Sequence, residues 1–304
     1  MRTMQIHEIS DSRIALPPSY RSREVLIFHG RDPQQVAEKV SDSVILKGMT
    51  LDGAPALLRI ELDSQEARYE LDAESNARSL SPRQLRETVE RILGLHIESD
   101  HFESLVTQDK LLGGIVQRQR GLRIPQTATP FEAITWAIIG QQINLAFAIT
   151  LRRRLIELVG LRHSSGLACY PDASKLACVD VDALVGMQFS RAKSETLMRV
   201  ARLVEDGTLD LLYLAACDPD EAALQLTAIK GIGPWTAQYV LMRGLGAVDC
   251  SLHGDAAVRA AIVKIKNNGI KLDQTTAQRI LERYKPYRSL AAAHLWASLA
   301  MPNA

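Results

Sequence analysis

Apolar and polar positions divide the chain into two unlike parts. In the first hundred residues the apolar side chains come in short bursts: 24–30 (EVLIFHG), 44–47, 57–62 (LLRIEL) and 67–71 (ARYEL). Each is rich in β-forming residues or alternates with period two, and so predicts a strand. Asp32-Pro33 closes the first of them, and 34–40 reads as a short helix before the second. Ser81-Pro82 predicts the start of a longer helix, a capping serine followed by proline at the first helical position. Leu85, Val89, Ile92 and Leu93 then fall on one helical face. The pattern is that of an antiparallel sheet carrying a few helices. No chemistry is visible in it, and it reads as scaffold.

From about residue 98 the β signal stops. Residues 102–118 carry apolar positions at 102, 105, 106, 111, 112, 115 and 116, a broken helix, and Leu122-Arg123-Ile124-Pro125 is an extended link. Thr129-Pro130-Phe131-Glu132 has the form of a capping box, in which Glu132 returns a bond to the capping residue. The run that follows, 131–160, has almost no charge over its first 20 positions. A helix apolar on all sides belongs in the middle of a bundle. Gly140-Gln141-Gln142 interrupts it with two amides that both donate and accept. Further helices are expected at 171–185, 191–204 and 218–226. The fold class is therefore α+β: an N-terminal antiparallel α/β domain over 1–107, then an all-α region over 108–304.

Composition narrows the class. The chain has 304 residues, 46% hydrophobic and 23% charged, as in soluble globular proteins. The opening MRTMQIHEISDSRIALPPSY has no apolar leader segment, and no uncharged apolar run approaches 18 residues. Cys169, Cys178, Cys217 and Cys250 match no zinc or iron–sulfur spacing; four free thiols acting as small apolar fillers fit a reducing cytoplasm. The net charge of +1 hides an asymmetry. Residues 1–107 carry 13 Lys and Arg against 18 Asp and Glu, a balance of −5; residues 108–304 carry 23 against 17, a balance of +6. The basic half is the one that suits a polyanion.

The candidate chemistry gathers in residues 226–255, LTAIKGIGPWTAQYVLMRGLGAVDCSLHGD. Two apolar-patterned segments flank the turn Lys230-Gly231-Ile232-Gly233-Pro234, and Trp235, Tyr239 and Met242 lie along one side of the second. The glycines leave backbone amides open to an anion, most simply a DNA phosphate, at the start of the following helix. This is a helix–hairpin–helix candidate. Asp255 follows 22 positions after Gly233.

Plainer readings stand beside these. Asp255 precedes AAVRAAIVKI and can serve as a helix cap, a role compatible with chemistry. Trp235 and Trp296 can be core residues. Arg152-Arg153-Arg154 reads as a solvated helix face, and Lys285-Pro286-Tyr287-Arg288 as a helix-start surface; for both, phosphate contact is the sharper alternative. Arg191 and Lys193 put cations at a helix start, where the macrodipole disfavours them, which hints at a role outside the fold.

The order of a capped central helix, IIGQQI, KGIGPWTAQY, LHGD and RYKPYRSLAAAHLW resembles the 3-methyladenine DNA glycosylase II family of helix–hairpin–helix base-excision enzymes, over roughly residues 120–300. The resemblance implies that Asp255 is the catalytic carboxylate and that Trp235, Tyr239 and Trp296 wall a pocket for the extruded base. It implies that Gly231, Ile232, Gly233 and Thr236 clamp a DNA phosphate, with room for a monovalent cation at the hairpin backbone. Gln141 and Gln142 would probe or fill the gap in the duplex. The partner implied is double-stranded DNA with damaged bases, no cofactor and no catalytic metal are needed, and a monomer is expected. Two departures stand out: Gly254 where a second aspartate is common, and Gln142 where some members have leucine.

These residue types suit the chemistry. A base must leave the stack before it can be attacked, at a cost of about a few kcal/mol. An N-alkylated purine is already cationic and is attracted to indole and phenol faces by about 0.5–2 kcal/mol each. One carboxylate can stabilise the positive charge that grows on the sugar and can orient water. Related enzymes that nick the backbone use a lysine two residues after the second hairpin glycine, which is Trp235 here. A monofunctional enzyme is therefore expected. Two other functions stay open on the residues: a glycosylase for deaminated or oxidised bases, and a non-catalytic DNA-binding module.

Overall fold

The structure is a computed structural model that describes residues 12–74, 80–266 and 269–300. The polar first 11 residues, part of the opening read above for a leader, lie outside them. Five strands form one antiparallel sheet: β1 (Ser12–Ala15), β2 (Glu38–Val40), β3 (Val44–Leu51), β4 (Ala54–Leu62) and β5 (Glu66–Ala73), in the order β1-β5-β4-β3-β2. Alternation sets the register. Ile45 faces Ile60 and Ile60 faces Tyr69, so one buried row crosses three strands. Helix Pro82–Leu93 covers that row with Val89, Ile92 and Leu93. Ser81 and Gln84 close a reciprocal capping box at its start.

Two expectations for this half fail. The predicted strand at 24–30 is a helix, Ser22–His29. Its β-branched and aromatic content imitates a strand, but Val25 and His29, four apart, are the residues it buries, and His29 reaches the Ile92 carbonyl at 3.2 Å. Packing against the longer helix overrides local preference. The predicted helix at 34–40 is a turn followed by β2. Asp32 accepts from the amides of Gln34 and Val36, and residues 38–40 pair with 45–47.

The second half is helical. Asp100–Leu105 and Gly113–Arg118 form the broken helix, and 122–127 is extended. Helix Pro130–Gly140 buries every residue from 131 to 139 and runs through the middle of the bundle. Only half of the expected capping box forms at its start. Thr129 accepts from the Glu132 amide, but the Glu132 side chain is drawn elsewhere and reaches back only to the Ala128 amide at 3.3 Å. After the break at 141–144, helix Leu145–Val159 follows, capped by Asn144. The expected helix at 171–185 is two, Ala173–Ala177 and Val181–Gly186, because Asp180 starts a new cap.

The arginine run is neither a solvated face nor a phosphate contact. Arg152 is 2% exposed and bonds Glu38 at 3.1 Å and Glu132 at 2.9 Å; Lys47 meets the same two carboxylates at 2.6 and 2.9 Å. Burial pushes both carboxyls up, but the two cations outweigh it and hold them below the usual range. Arg153 bonds Asp32 at 2.8 Å, and Arg154 bonds Gln188 and the Met187 carbonyl. The bonds of Arg152, Arg153 and Lys47 fasten the sheet to the bundle, while those of Arg154 stay within the bundle. All four cysteines are free, but Cys178 is exposed and so is not a core filler. No helix among the described residues is long and apolar enough to cross a membrane.

Candidate active site

Helix Pro219–Ala228, the turn 229–233 and helix Pro234–Val240 form the hairpin. Gly231 has φ +101, and an added Cβ would lie 2.1 Å from the Thr196 hydroxyl, so backbone and space both demand glycine. Gly233 is different. Its φ is −94 and a Cβ there would meet nothing within 4 Å. The fold does not need that glycine; an approaching partner would.

The other residues expected to touch DNA divide by geometry. Ile232 and Thr236 are buried, at 4% and 2% exposure, and the Ile232 amide donates to the Ile229 carbonyl at 3.0 Å. The Gln141 amide donates to the Gly231 carbonyl and the Thr236 hydroxyl, both at 2.9 Å, and so braces the turn. Gln142 is exposed with φ +55, projecting from the loop between the two central helices. Lys193 is half-buried and donates to the Ile139 carbonyl at 2.8 Å, near the end of the central helix, where a cation is welcome. Arg191 pairs with Asp182. The Lys285–Arg288 cluster is likewise occupied internally, Arg288 by Asp249 and Glu282, and Lys285 by Glu282.

Asp255 and the aromatic residues converge. Asp255 caps helix Ala256–Lys266: its Oδ1 accepts from the amides of Ala257 and Val258, both at 2.9 Å. The same Oδ1 accepts from Trp296 Nε1 at 3.0 Å, and Oδ2 accepts from Trp235 Nε1 at 2.9 Å. The cap and the aromatic contact therefore coexist in one half-buried carboxylate. Oδ1 carries three bonds and Oδ2 one, so Oδ2 has lone pairs to spare. Tyr239 lies between the indoles, its ring 5.6 Å from Trp235 and 6.3 Å from Trp296.

Three residues here escaped the sequence reading. Trp136, inside the central helix, donates from Nε1 to the Tyr239 hydroxyl at 2.9 Å. Arg243 stacks over Trp296 at 5.2 Å. It lies in a π-helical turn, Leu241–Leu245, that continues the hairpin helix; such turns are rare and frequent at functional sites. Arg31, beyond the short N-terminal helix, stacks over Trp136 at 4.1 Å. Trp136 offered no signal beyond being the third tryptophan, in a run that read as plain core.

The carbonyls of the turn are partly engaged, and each has a second lone pair. Those of Ile229, Lys230, Gly231 and Gly233 each accept one bond, from Ile232, Arg199, Gln141 and Ala237. A cavity of about 440 Å³ between sheet and bundle, lined by Met49, Thr129, Tyr170 and Glu205, shares no residue with the carboxylate and its aromatic walls.

A helical bundle with a glycine hairpin, a capping aspartate and indoles bonded to it defines a class of DNA repair protein. The chain belongs to the HhH-GPD superfamily of base excision DNA repair proteins, whose family model matches residues 135–292. It is 31% identical over 204 residues to a putative DNA-3-methyladenine glycosylase of Bacillus subtilis, covering 66% of this chain and 68% of that one. It is 26% identical over 300 residues to a DNA-3-methyladenine glycosylase of the same organism, covering 96% and 99%. Its fold matches a 3-methyladenine DNA glycosylase from Archaeoglobus fulgidus with a TM-score of 0.80 at 23% identity, over 94% and 97% of the two chains.

Proposed function

We propose that the protein is a monofunctional DNA glycosylase that extrudes alkylated purines of the 3-methyladenine type and hydrolyses their N-glycosidic bond, leaving an abasic site. The observation that carries this is the Asp255 carboxylate held by the indole N–H groups of Trp235 and Trp296. The hairpin amides grip a phosphate, Gln142 enters the space the base leaves, and the three aromatic rings take up the base. As the glycosidic bond lengthens, the Asp255 carboxylate offsets the positive charge on the sugar, and Oδ2 takes the proton of the attacking water. The base leaves as a neutral molecule because it began as a cation. The printed names of the relatives support the same substrate class. The protein acts as a monomer in the cytoplasm.

Absence of strand cleavage follows from Trp235, which occupies the position where a Schiff-base lysine would stand. The test is incubation with methylated DNA: free methylated purine should appear, and borohydride should trap no covalent protein–DNA adduct. A trapped adduct would overturn the monofunctional assignment; absence of free base would overturn the activity.

A further inference from the structure

The bundle carries a surface that the proposed chemistry does not use. Helices Leu211–Ala216 and Pro219–Ala228 leave large apolar side chains in solvent: Leu212 is 82% exposed, Tyr213 49% and Leu224 72%. Nine large hydrophobic residues are exposed among the described residues, and three of them fall within 212–224. Single exposed residues of this kind are ordinary, whereas a group of them marks a contact surface. The Tyr213 hydroxyl donates to Glu221 at 2.7 Å, which ties the two helices side by side.

A groove adjoins them. A hollow of about 330 Å³ lies between helices Pro219–Ala228 and Pro234–Val240, and its walls include Asp220, Ala223, Leu224, Thr227, Pro234 and Ala237. Leu224 is thus both part of the wall and open to solvent, and an apolar side chain entering the hollow would cover it. The groove shares no residue with Asp255, Trp235, Tyr239 or Trp296.

Charge selects the occupant. Residues 203–229 hold six carboxylates, Glu205, Asp206, Asp210, Asp218, Asp220 and Glu221, and no Lys or Arg, although they belong to the basic half of the chain. All six are exposed. Among the described residues none of them is ion-paired: Asp206, Asp210 and Asp218 accept from backbone amides of their own turns, and Glu221 accepts from Tyr213 and Gln225. Such a surface repels DNA and anionic lipid. A second copy docked face to face by two-fold symmetry would set the same acids against each other. A protein segment that is apolar and basic at once satisfies both the leucines and the carboxylates.

We propose that helices Leu211–Ala216 and Pro219–Ala228 form a docking surface for a partner protein, which lays on it an amphipathic helix with leucine-like side chains on one face and Lys or Arg on the flanks. One apolar side chain of that helix enters the hollow beside Leu224, its neighbours cover Leu212 and Tyr213, and its cations meet Asp218, Asp220 and Glu221. The apolar contact supplies the affinity, and the carboxylates select the sign of the partner and speed its arrival.

The test follows the fluorescence anisotropy of a labelled amphipathic peptide of Leu and Lys alone, about 18 residues or five helical turns long, and of its Leu and Glu counterpart. The full-length wild-type protein should bind the Lys peptide saturably and the Glu peptide not at all. Leu212→Ser with Leu224→Ser should weaken binding at least about tenfold, the scale of burying one leucine side chain. Asp220→Asn with Glu221→Gln should weaken it about threefold and flatten its salt dependence. All four residues stand in solvent, so neither pair of changes should lower the urea midpoint, and the charge pair tests the surface without touching packing. No binding of the Lys peptide, equal binding by wild type and both variants, or equal binding of the two peptides overturns the inference. A wild-type dimer in sedimentation that the leucine pair abolishes would assign the face to a second copy, and overturns it as well.

Discussion

Lys47→Met tests how the two halves of the molecule are joined. Lys47 is 1% exposed and sits with Arg152 between the carboxylates of Glu38 and Glu132, a buried group of two cations and two anions. Methionine matches the stem in length, so packing is largely kept. What changes is charge: one Arg152 must then serve two buried carboxylates. Removing one partner of a buried ion pair costs about 3–5 kcal/mol, because the other is left uncompensated. In a chain of this size that corresponds to roughly 6–20 °C in Tm. The loss depends on pH. In the wild type both carboxyls titrate below their ordinary range, so their stabilisation is present above the unfolded value of 4.5 and fades as pH falls through the folded values. Without Lys47 a carboxyl rises, one glutamate takes up a proton more readily, and the gap to wild type should narrow from pH 7 to pH 5. Urea unfolding followed by circular dichroism at both pH values measures this. Adding Glu38→Gln should restore neutrality and recover at least about 1 kcal/mol. A loss below about 1 kcal/mol, equal at both pH values and unrelieved by the second change, would refute the reasoning.

Two further outcomes follow from single residues. Gly231→Ala should destabilise the fold by about 2–5 kcal/mol, from its positive φ and the clash with Thr196. Gly233→Ala should leave the urea midpoint unchanged yet weaken DNA binding about tenfold, measured by fluorescence anisotropy, because its Cβ would stand only in the way of a partner. His294 is fully buried and its pKa is lowered from 6.5 to about 3, chiefly by burial. The unfolded chain binds that proton first, so stability should fall as pH drops below about 6.5, and His294→Gln should flatten the dependence of the urea midpoint.

The sequence reveals most where one local rule governs. Trp235, Tyr239, Asp255 and Trp296 fall in a recognisable register, and the structure gathers them although 41 residues separate Asp255 from Trp296. The capped helix at Ser81 and the apolar helix after Thr129 follow from short-range signals. What stays hidden depends on the other half of the molecule. Residues 24–30 look like a strand until the helix they bury against is known. Arg152 looks like surface until Glu38, 114 residues earlier, is placed beside it. Arg31 and Phe28 carry no motif, and only the docking of the sheet domain on the bundle sets them against Trp136 and Arg243. Glu132 shows both levels at once: spacing marks it as a capping residue, but two buried cations claim its carboxylate.

The central claim is that Asp255 acts on the sugar and does not merely cap its helix. Asp255→Asn keeps an oxygen for the amides of Ala257 and Val258, so the cap survives, and it removes the charge. Release of free base from methylated duplex DNA, wild type beside Asp255→Asn at equal occupancy, separates the two roles. The account predicts base release by the wild type, a fall of at least about a hundredfold in the variant, and DNA binding kept or tightened. Equal release by both proteins, with binding weakened in the variant, would contradict it.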